Sequence, residues 1–338
     1  MKNKKRRLFV IAILIITLIP FCANISAKVI YYNSFNVTKT PDYSLVFGMV
    51  SHDRYNSLPR EIVSYNIDKE TIQGYFYKAN ESKKLVVVCH GFNDGADSLL
   101  PVCDFFFNNG YNVFSYDAIG CFSSSGKIYG FHQFLVSLEG TMNYLNSNAL
   151  FANYEKYIFG FSAGGYATMS YLNMSSKNIM ACVSVSGFNN ANDVIYLKGK
   201  EHVGFLANVF KNTIDSINKK HFKDYLTYSA NSGINNSNTP CFIANSKDDE
   251  IITYNSMSIA ASEITSKNVK YYIDEKQSHT GILYSEKANL YRNKMDEKFQ
   301  NALTKKEKRQ LVSSADHKLY SELNPQLFEE ILVFFNNY

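Results

Sequence analysis

From residue 84 onward, short apolar runs alternate with longer amphipathic stretches. The run 84–89 is almost continuously apolar, as expected for a parallel strand that is buried on both faces. Alternating strands and helices are typical of an α/β fold, in which helices cover both faces of a mainly parallel sheet. The other predicted strands are 111–116, 157–159, 180–186, 240–244 and 269–273. The predicted helices are 99–108, 131–145, 163–174 and 325–335.

The pattern upstream of residue 84 is different. Residues 61–67 and 71–78 alternate polar and apolar positions, and the polar run 68–70 separates them. This predicts an antiparallel hairpin at a sheet edge. Residues 28–59 are rich in Tyr, Asn and Ser and show little periodicity. They predict a linker and one short helix near residues 43–50.

Residues 60–338 are predicted to form one α/β domain with two insertions. Residues 189–238 separate two strands and contain helical patches, which predicts a lid over the carboxyl edge of the sheet. Residues 282–320 are charged and helical, and Thr304 and Glu307 have the spacing of a capping box. This second stretch is interpreted as an insertion before the last helix.

The first 27 residues are basic and then apolar, with no acidic residue. The apolar run 8–23 and the small residue Ala27 predict a signal peptide. Residues 8–27 are also long enough for an uncleaved membrane anchor. In either case the remaining chain is expected outside the cytoplasm, secreted or anchored to the membrane. The positive charges are Lys2, Lys4, Lys5, Arg6 and Arg7.

Composition excludes several classes of function. The chain has 338 residues, 46% hydrophobic and 19% charged, which is ordinary for a globular protein with a large core. Its net charge of +5 equals the charge of residues 1–27 alone, so nothing favours a nucleic-acid partner. No His/Cys pattern has metal-ligand spacing, and neither a metal nor another cofactor is predicted. Whether Cys103 and Cys121 form a disulfide is left open.

The candidate chemistry begins at the sequence Gly160-Phe161-Ser162-Ala163-Gly164-Gly165. A serine between two glycines, after a strand and before a helix, is typical of a nucleophile elbow. Gly160 and Gly164 leave room at the sharp turn, and Gly165 lets the helix approach the sheet. Such a pattern also occurs by chance, so the assignment depends on a base and an acid elsewhere in the chain.

Two partners for Ser162 are predicted at neighbouring strand ends. His279 follows the strand 269–273 and would lie at the same edge as Ser162, so it is the predicted base. Asp248 and Asp249 both follow the strand 240–244. Asp249 is favoured as the acid because of its place before the next helix, and Asp248 is interpreted as a turn or N-cap residue.

An oxyanion hole needs two N–H donors. The predicted donors are the backbone N–H groups of Ala163, which follows the nucleophile, and Phe92, in the loop after the strand 84–89. His90 and Gly91 precede Phe92. His90 is predicted to support this loop and not to act as the base.

These motifs resemble the α/β-hydrolase superfamily, in particular exported bacterial members with a serine-aminopeptidase-like or monoacylglycerol-lipase-like core. The resemblance covers about residues 60–281 and the last helix. It implies an α/β-hydrolase fold and the chemistry of a serine hydrolase with the triad Ser162, Asp249 and His279. The segment Ile119-Gly120-Cys121-Phe122 departs from the Arg-Gly-x-Gly run that the family usually has here. The segments that carry the resemblance are His90-Gly91-Phe92, Tyr116-Asp117-x-x-Gly120, the elbow, Asp249 and His279-Thr280-Gly281.

The expected substrate is a small ester with an apolar acyl group, because Phe92, Phe161 and an aromatic lid would surround it. One alternative is a serine peptidase or aminopeptidase acting on short peptides, with Glu201 or Asp193 binding the substrate's amino group. Another alternative is a binding protein that has the same fold without catalysis.

Overall fold

Eight strands form one sheet in the computed structural model, which describes residues 7, 18, 21–47, 51–54, 58–204 and 207–338. Their order is β1-β2-β4-β3-β5-β6-β7-β8. The first two strands pair antiparallel, β2 pairs antiparallel with β4, and all other pairs are parallel. The strands are β1 (Glu61–Ile67), β2 (Glu70–Tyr77), β3 (Lys84–Cys89), β4 (Asn112–Tyr116), β5 (Glu155–Phe161), β6 (Ile179–Val185), β7 (Cys241–Ser246) and β8 (Val269–Asp274).

Helices precede, connect and follow these strands. Residues 21–34 form α1. The other helices are α2 (Leu100–Asn108), α3 (His132–Ser147), α4 (Ala163–Tyr171), α5 (Ala191–Val203), α6 (Ala207–Phe222), α7 (Ala230–Asn236), α8 (Tyr254–Met257), α9 (Glu286–Asn301), α10 (Lys305–Ser314), α11 (His317–Tyr320) and α12 (Pro325–Asn336).

The central strand β3 shows why its sequence is apolar throughout. Leu85 and Val87 belong to the core cluster that includes α3 and α4, whereas Val86 and Val88 belong to the cluster with α2 and α12. All four side chains are buried. Burial on both faces removes the polar alternation that a half-exposed strand would have. The predicted α/β-hydrolase arrangement is therefore confirmed.

Each predicted strand and helix of the sheet region is present, and its ends lie within three residues of the predicted ones. The elbow strand, for example, begins at Glu155, and α4 ends at Tyr171. The predicted hairpin is formed by β1 and β2, with β1 at the edge. Cys103 and Cys121 are buried free thiols, so they do not form the disulfide that the sequence left open.

The N-terminal residues pack on the domain. Tyr31 in α1 and Phe35 after it are buried. The Thr38 N–H donates to the Gly120 carbonyl (2.9 Å), and the Phe122 N–H donates to the Thr38 carbonyl (2.7 Å). These residues lie within the predicted linker 28–59, and they are held by buried rings and backbone hydrogen bonds.

The predicted helix at 43–50 is not seen where the chain is described, because residues 43–47 form turns and bends. Residues 48–50 lie outside the described residues, and so does most of the segment 1–27. Export and anchoring through residues 8–27 therefore stay predictions. No described helix is both long and apolar enough to cross a bilayer.

Both insertions are helical. The first contains α5, α6 and α7, but α7 packs directly on α4: a Cβ on Gly233 would lie 2.1 Å from the Met169 carbonyl oxygen. Ala230 and Ile234 of α7 are buried in the core. Since α7 packs on α4, the predicted lid is reduced to α5 and α6, which also contribute buried residues to this core. Their role as a lid stays a prediction. The second insertion contains α9 to α11, and the predicted Thr304/Glu307 capping box is present.

Candidate active site

Ser162 lies at a sharp turn between β5 and α4. Its φ of 54° and ψ of −115° are unusual for a non-glycine residue. A Cβ on Gly160 would lie 2.2 Å from the Gly164 carbonyl oxygen, and a Cβ on Gly164 would lie 2.2 Å from the Cys89 carbonyl oxygen. The turn can therefore form only with glycine at both positions. A Cβ on Gly165 would lie 2.5 Å from Ser184 Oγ, so this residue sets how closely α4 approaches β6.

The structure brings Ser162, His279 and Asp249 together. His279 Nε2 lies 2.9 Å from Ser162 Oγ, and His279 Nδ1 lies 2.7 Å from Asp249 Oδ2. All three residues are buried. With Nδ1–H donating to the carboxylate, Nε2 is free to accept the serine proton. This is the geometry that activates a hydroxyl for nucleophilic attack.

Asp249, and not Asp248, contacts the imidazole. The second oxygen of Asp249, Oδ1, accepts hydrogen bonds from the N–H groups of Ile251 (2.9 Å) and Ile252 (2.7 Å). Asp248 is exposed. Since both oxygens of Asp249 are engaged, its carboxylate is fixed in orientation towards His279.

Two further residues hold His279, and the sequence analysis missed both. Glu250 Oε2 accepts a hydrogen bond from the His279 N–H (2.9 Å), and Ser186 Oγ donates to the His279 carbonyl (2.8 Å). Glu250 follows β7 and Ser186 follows β6. Their positions just after strands at the carboxyl edge were the one available signal, but no pattern showed that they bond to the backbone of His279.

The predicted oxyanion loop lies against the nucleophile. A Cβ on Gly91 would lie 3.3 Å from Ser162 Cβ. In the part of the chain that the structure describes, the N–H groups of Phe92 and Ala163 donate to no backbone carbonyl. Ala163 is the first residue of α4, so its N–H has no partner within the helix. Both N–H groups are therefore available to a ligand.

His90 holds this loop from behind. Its Nδ1 lies 2.7 Å from the Gly91 carbonyl oxygen, and its Nε2 accepts a hydrogen bond from the Ala118 N–H (3.0 Å). Burial lowers the pKa of His90 to about 4. The ring is thus neutral near pH 7, as an imidazole that both donates and accepts must be.

The Asp117 carboxylate connects the loop after β3 to β2 and to the segment after β4. Its carboxylate accepts hydrogen bonds from the N–H groups of Ala96 (2.8 Å) and Ser123 (3.1 Å) and from the Tyr75 hydroxyl (3.1 Å). Burial raises the pKa of Asp117 to about 6. The segment after Asp117, which departs from the family pattern, is therefore supported by this carboxylate and by Thr38.

His132 is another buried histidine, and its burial predicts that the folded protein is sensitive to acid. Replacing His132 by phenylalanine should remove part of this sensitivity, because its Nδ1 has no hydrogen-bond partner among the described residues and its ring stacks on Phe222. Burial lowers the pKa of His132 from 6.5 to about 4. The unfolded chain therefore binds the proton more tightly than the folded protein does. The contribution of His132 to the free energy of unfolding is complete above pH 6.5 and is lost as the pH falls to 4.

Between pH 7 and pH 4, the wild type should lose roughly 3 kcal/mol more of its free energy of unfolding than His132→Phe does. Urea unfolding of the wild type and His132→Phe at pH 7 and pH 4 measures it. The variant should lose less stability than the wild type between the two pH values. Equal losses would contradict a role for His132.

Among the described residues, no group of three or more His, Cys, Asp or Glu side chains could hold a metal ion.

With this geometry established, comparison with known proteins gives the family. The family model for serine aminopeptidase, S33, matches residues 80–324. The chain belongs to this family. As a member of the S33 serine aminopeptidase family it is a serine hydrolase with an α/β-hydrolase fold, and the motifs that carried the resemblance lie within or close to the matched region. A search among curated proteins finds no match.

Solved structures show the same fold. The esterase Pf2001 of Pyrococcus furiosus is 16% identical, with a TM-score of 0.54, and the alignment covers 78% of this chain and 97% of that one. Est1E from Butyrivibrio proteoclasticus, with ferulic acid bound, is 17% identical with a TM-score of 0.53, covering 71% and 98%. The α/β hydrolase GrgF from a Penicillium species is 16% identical with a TM-score of 0.51, covering 71% and 97%.

Proposed function

We propose that this serine hydrolase cleaves carboxylic esters with apolar acyl groups, through an acyl-enzyme on Ser162. The observation that carries the proposal is the continuous contact from Asp249 through His279 to Ser162, with separations of 2.7 and 2.9 Å. A serine hydroxyl is a weak nucleophile near neutral pH, and this contact supplies the base that it needs.

In the first step, Ser162 Oγ attacks the ester carbonyl carbon while its proton moves to His279 Nε2. The carbonyl oxygen becomes an oxyanion, which the N–H groups of Phe92 and Ala163 bind. Asp249 keeps the imidazolium oriented. The bond from the carbonyl carbon to the alcohol oxygen then breaks, and His279 returns the proton to the departing alcohol.

In the second step, a water molecule replaces the alcohol. His279 takes a proton from the water, whose oxygen attacks the acyl carbon of the ester formed with Ser162. The bond to Ser162 Oγ breaks, and His279 gives the proton back to the serine. The carboxylic acid leaves, and the enzyme returns to its starting state.

The aromatic surroundings support an apolar acyl group. Phe92, next to Gly91, packs against Phe131 with ring centroids 5.3 Å apart, and Phe131 packs against Phe188 at 5.1 Å. Apolar surface of this kind favours apolar groups because both are removed from water on binding.

A peptidase is the second candidate, because the matching family is described as serine aminopeptidase. An aminopeptidase would bind the substrate's amino group with a carboxylate. Glu201 contacts Lys198 (3.3 Å) and is exposed, and Asp193 is exposed at the start of α5. Neither offers a buried carboxylate, so ester cleavage has the better support.

A direct comparison of substrates tests the proposal. The full chain is assayed with p-nitrophenyl esters from acetate to decanoate and with aminoacyl p-nitroanilides. We expect a higher kcat/KM for the esters, and among them for acyl groups longer than acetate. Faster cleavage of the anilides would favour the peptidase, and failure to cleave either class would contradict both candidates.

A further inference from the structure

Residues 21–47, here called the N-terminal segment, precede the part of the chain that matches the family. They contact α6 as well as the loop after β4. The Asn24 side chain donates to Thr213 Oγ1 (3.0 Å), and the Tyr31 hydroxyl lies 2.7 Å from Asn218 Oδ1. Together with the pairing at Thr38, these contacts place the segment against both the first insertion and the loop after β4.

Phe35 is the residue of this segment that reaches the rings beside the nucleophile. Its side chain is only 7% exposed. Its ring centroid lies 5.4 Å from that of Phe92 and 5.2 Å from that of Phe131. The backbone of Phe92 belongs to the predicted oxyanion loop, so Phe35 is separated from the reacting groups by one layer of side chains.

Phe35, Phe92, Phe131 and Phe188 form one aromatic cluster, and short stretches of chain connect it to contacts with both Ser162 and His279. At one end, Phe92 follows Gly91, which abuts Ser162. At the other end, Phe188 comes two residues after Ser186, whose hydroxyl bonds to the His279 carbonyl. The rings of Phe92 and Phe188 therefore lie within two residues of groups that contact the nucleophile or the base.

We propose that an acyl group attached to Ser162 Oγ extends towards these rings, and that Phe35 closes this acyl pocket and limits the size of the acyl group that the enzyme accepts. This inference rests on the proposed esterase function. It makes the N-terminal segment, which lies outside the family's matched region, a determinant of specificity. Because packed rings resist compression, a smaller residue at position 35 opens space for a longer acyl chain.

The test uses the full chain and four proteins: the wild type, Phe35→Ala, Phe35→Leu and Phe47→Ala. Phe47 is a matched control because it is an aromatic residue of the same segment that packs elsewhere. Its ring lies 4.8 Å from Tyr320 and 6.1 Å from Phe299, both in the second insertion. The measured quantity is kcat/KM for p-nitrophenyl decanoate divided by that for p-nitrophenyl acetate.

We expect this ratio to rise about tenfold in Phe35→Ala, which corresponds to the lower end of discrimination by an apolar pocket. It should rise less in Phe35→Leu, and should change by less than about twofold in Phe47→Ala. If Phe35→Ala does not yield folded protein, the leucine variant decides. Hydrolysis with the same ratio in all four proteins would overturn the inference and leave the esterase function standing.

If the wild type cleaves no ester, the proposed function fails, and binding then tests Phe35 separately. The dissociation constants of p-nitrophenyl decanoate and acetate are measured for Ser162→Ala and for Ser162→Ala combined with Phe35→Ala. A selective gain for decanoate in the double variant supports Phe35 as the pocket wall. An unchanged ratio of dissociation constants overturns it.

Discussion

Replacing Ser162 by alanine should reduce ester hydrolysis by roughly 10⁴- to 10⁶-fold. The variant lacks the oxygen that forms the acyl-enzyme, and His279 has no proton to accept from that position. A fluorophosphonate probe should label the wild type and fail to label Ser162→Ala. The measurement combines the hydrolysis rate with the mass of the labelled protein.

Ser147→Ala is the matched control for this prediction. Ser147 is exposed at the end of α3, and its hydroxyl donates to carbonyl groups of its own helix. This variant should be labelled and should hydrolyse esters like the wild type. Equal labelling of the wild type and Ser162→Ala would mean that another residue is the nucleophile.

Replacing Asp249 by asparagine should lower kcat by about 10⁴-fold, whereas Asp248→Asn should have little effect. Asp249 Oδ1 accepts two backbone N–H groups, so the asparagine oxygen will keep that place. The side-chain NH₂ group then faces His279 Nδ1. Nδ1 must present a lone pair to this NH₂ group, so the ring proton is placed on Nε2. A protonated Nε2 can no longer accept the proton of Ser162.

Steady-state kinetics with the best ester measures both variants, and thermal unfolding verifies that each is folded. Asp248 is the natural control because it is the adjacent residue of the same type. A large loss in Asp248→Asn together with a small loss in Asp249→Asn would reverse the assignment of the acid.

The sheet was predictable because the local sequence of each strand shows which of its faces are buried. A strand covered on both faces, such as β3, needs apolar residues at every position, and this pattern is visible without tertiary information. The proximity of Ser162, Asp249 and His279 could also be predicted, because parallel strands bring their carboxyl ends to one edge.

The N-terminal segment was not predictable in the same way. Ala27, Tyr31 and Phe35 are buried at a helical spacing of four residues, but the polar residues between them hid this pattern. Nothing in the local sequence showed that Tyr31, Phe35 and Thr38 each contact a distant part of the chain. The role of α7 was missed for a related reason. Its short sequence gives no sign that Gly233 lets it approach α4 closely enough to join the core.

The contacts around His279 have a consequence for the energetics of turnover. Its backbone is tied at the N–H to Glu250, after one strand, and at the carbonyl to Ser186, after the neighbouring strand. The entropy of aligning the imidazole is therefore lost once, when the chain folds, and an arriving substrate does not have to order it again. A proton can then pass from Ser162 Oγ to His279 Nε2 with little rearrangement of the surrounding dipoles.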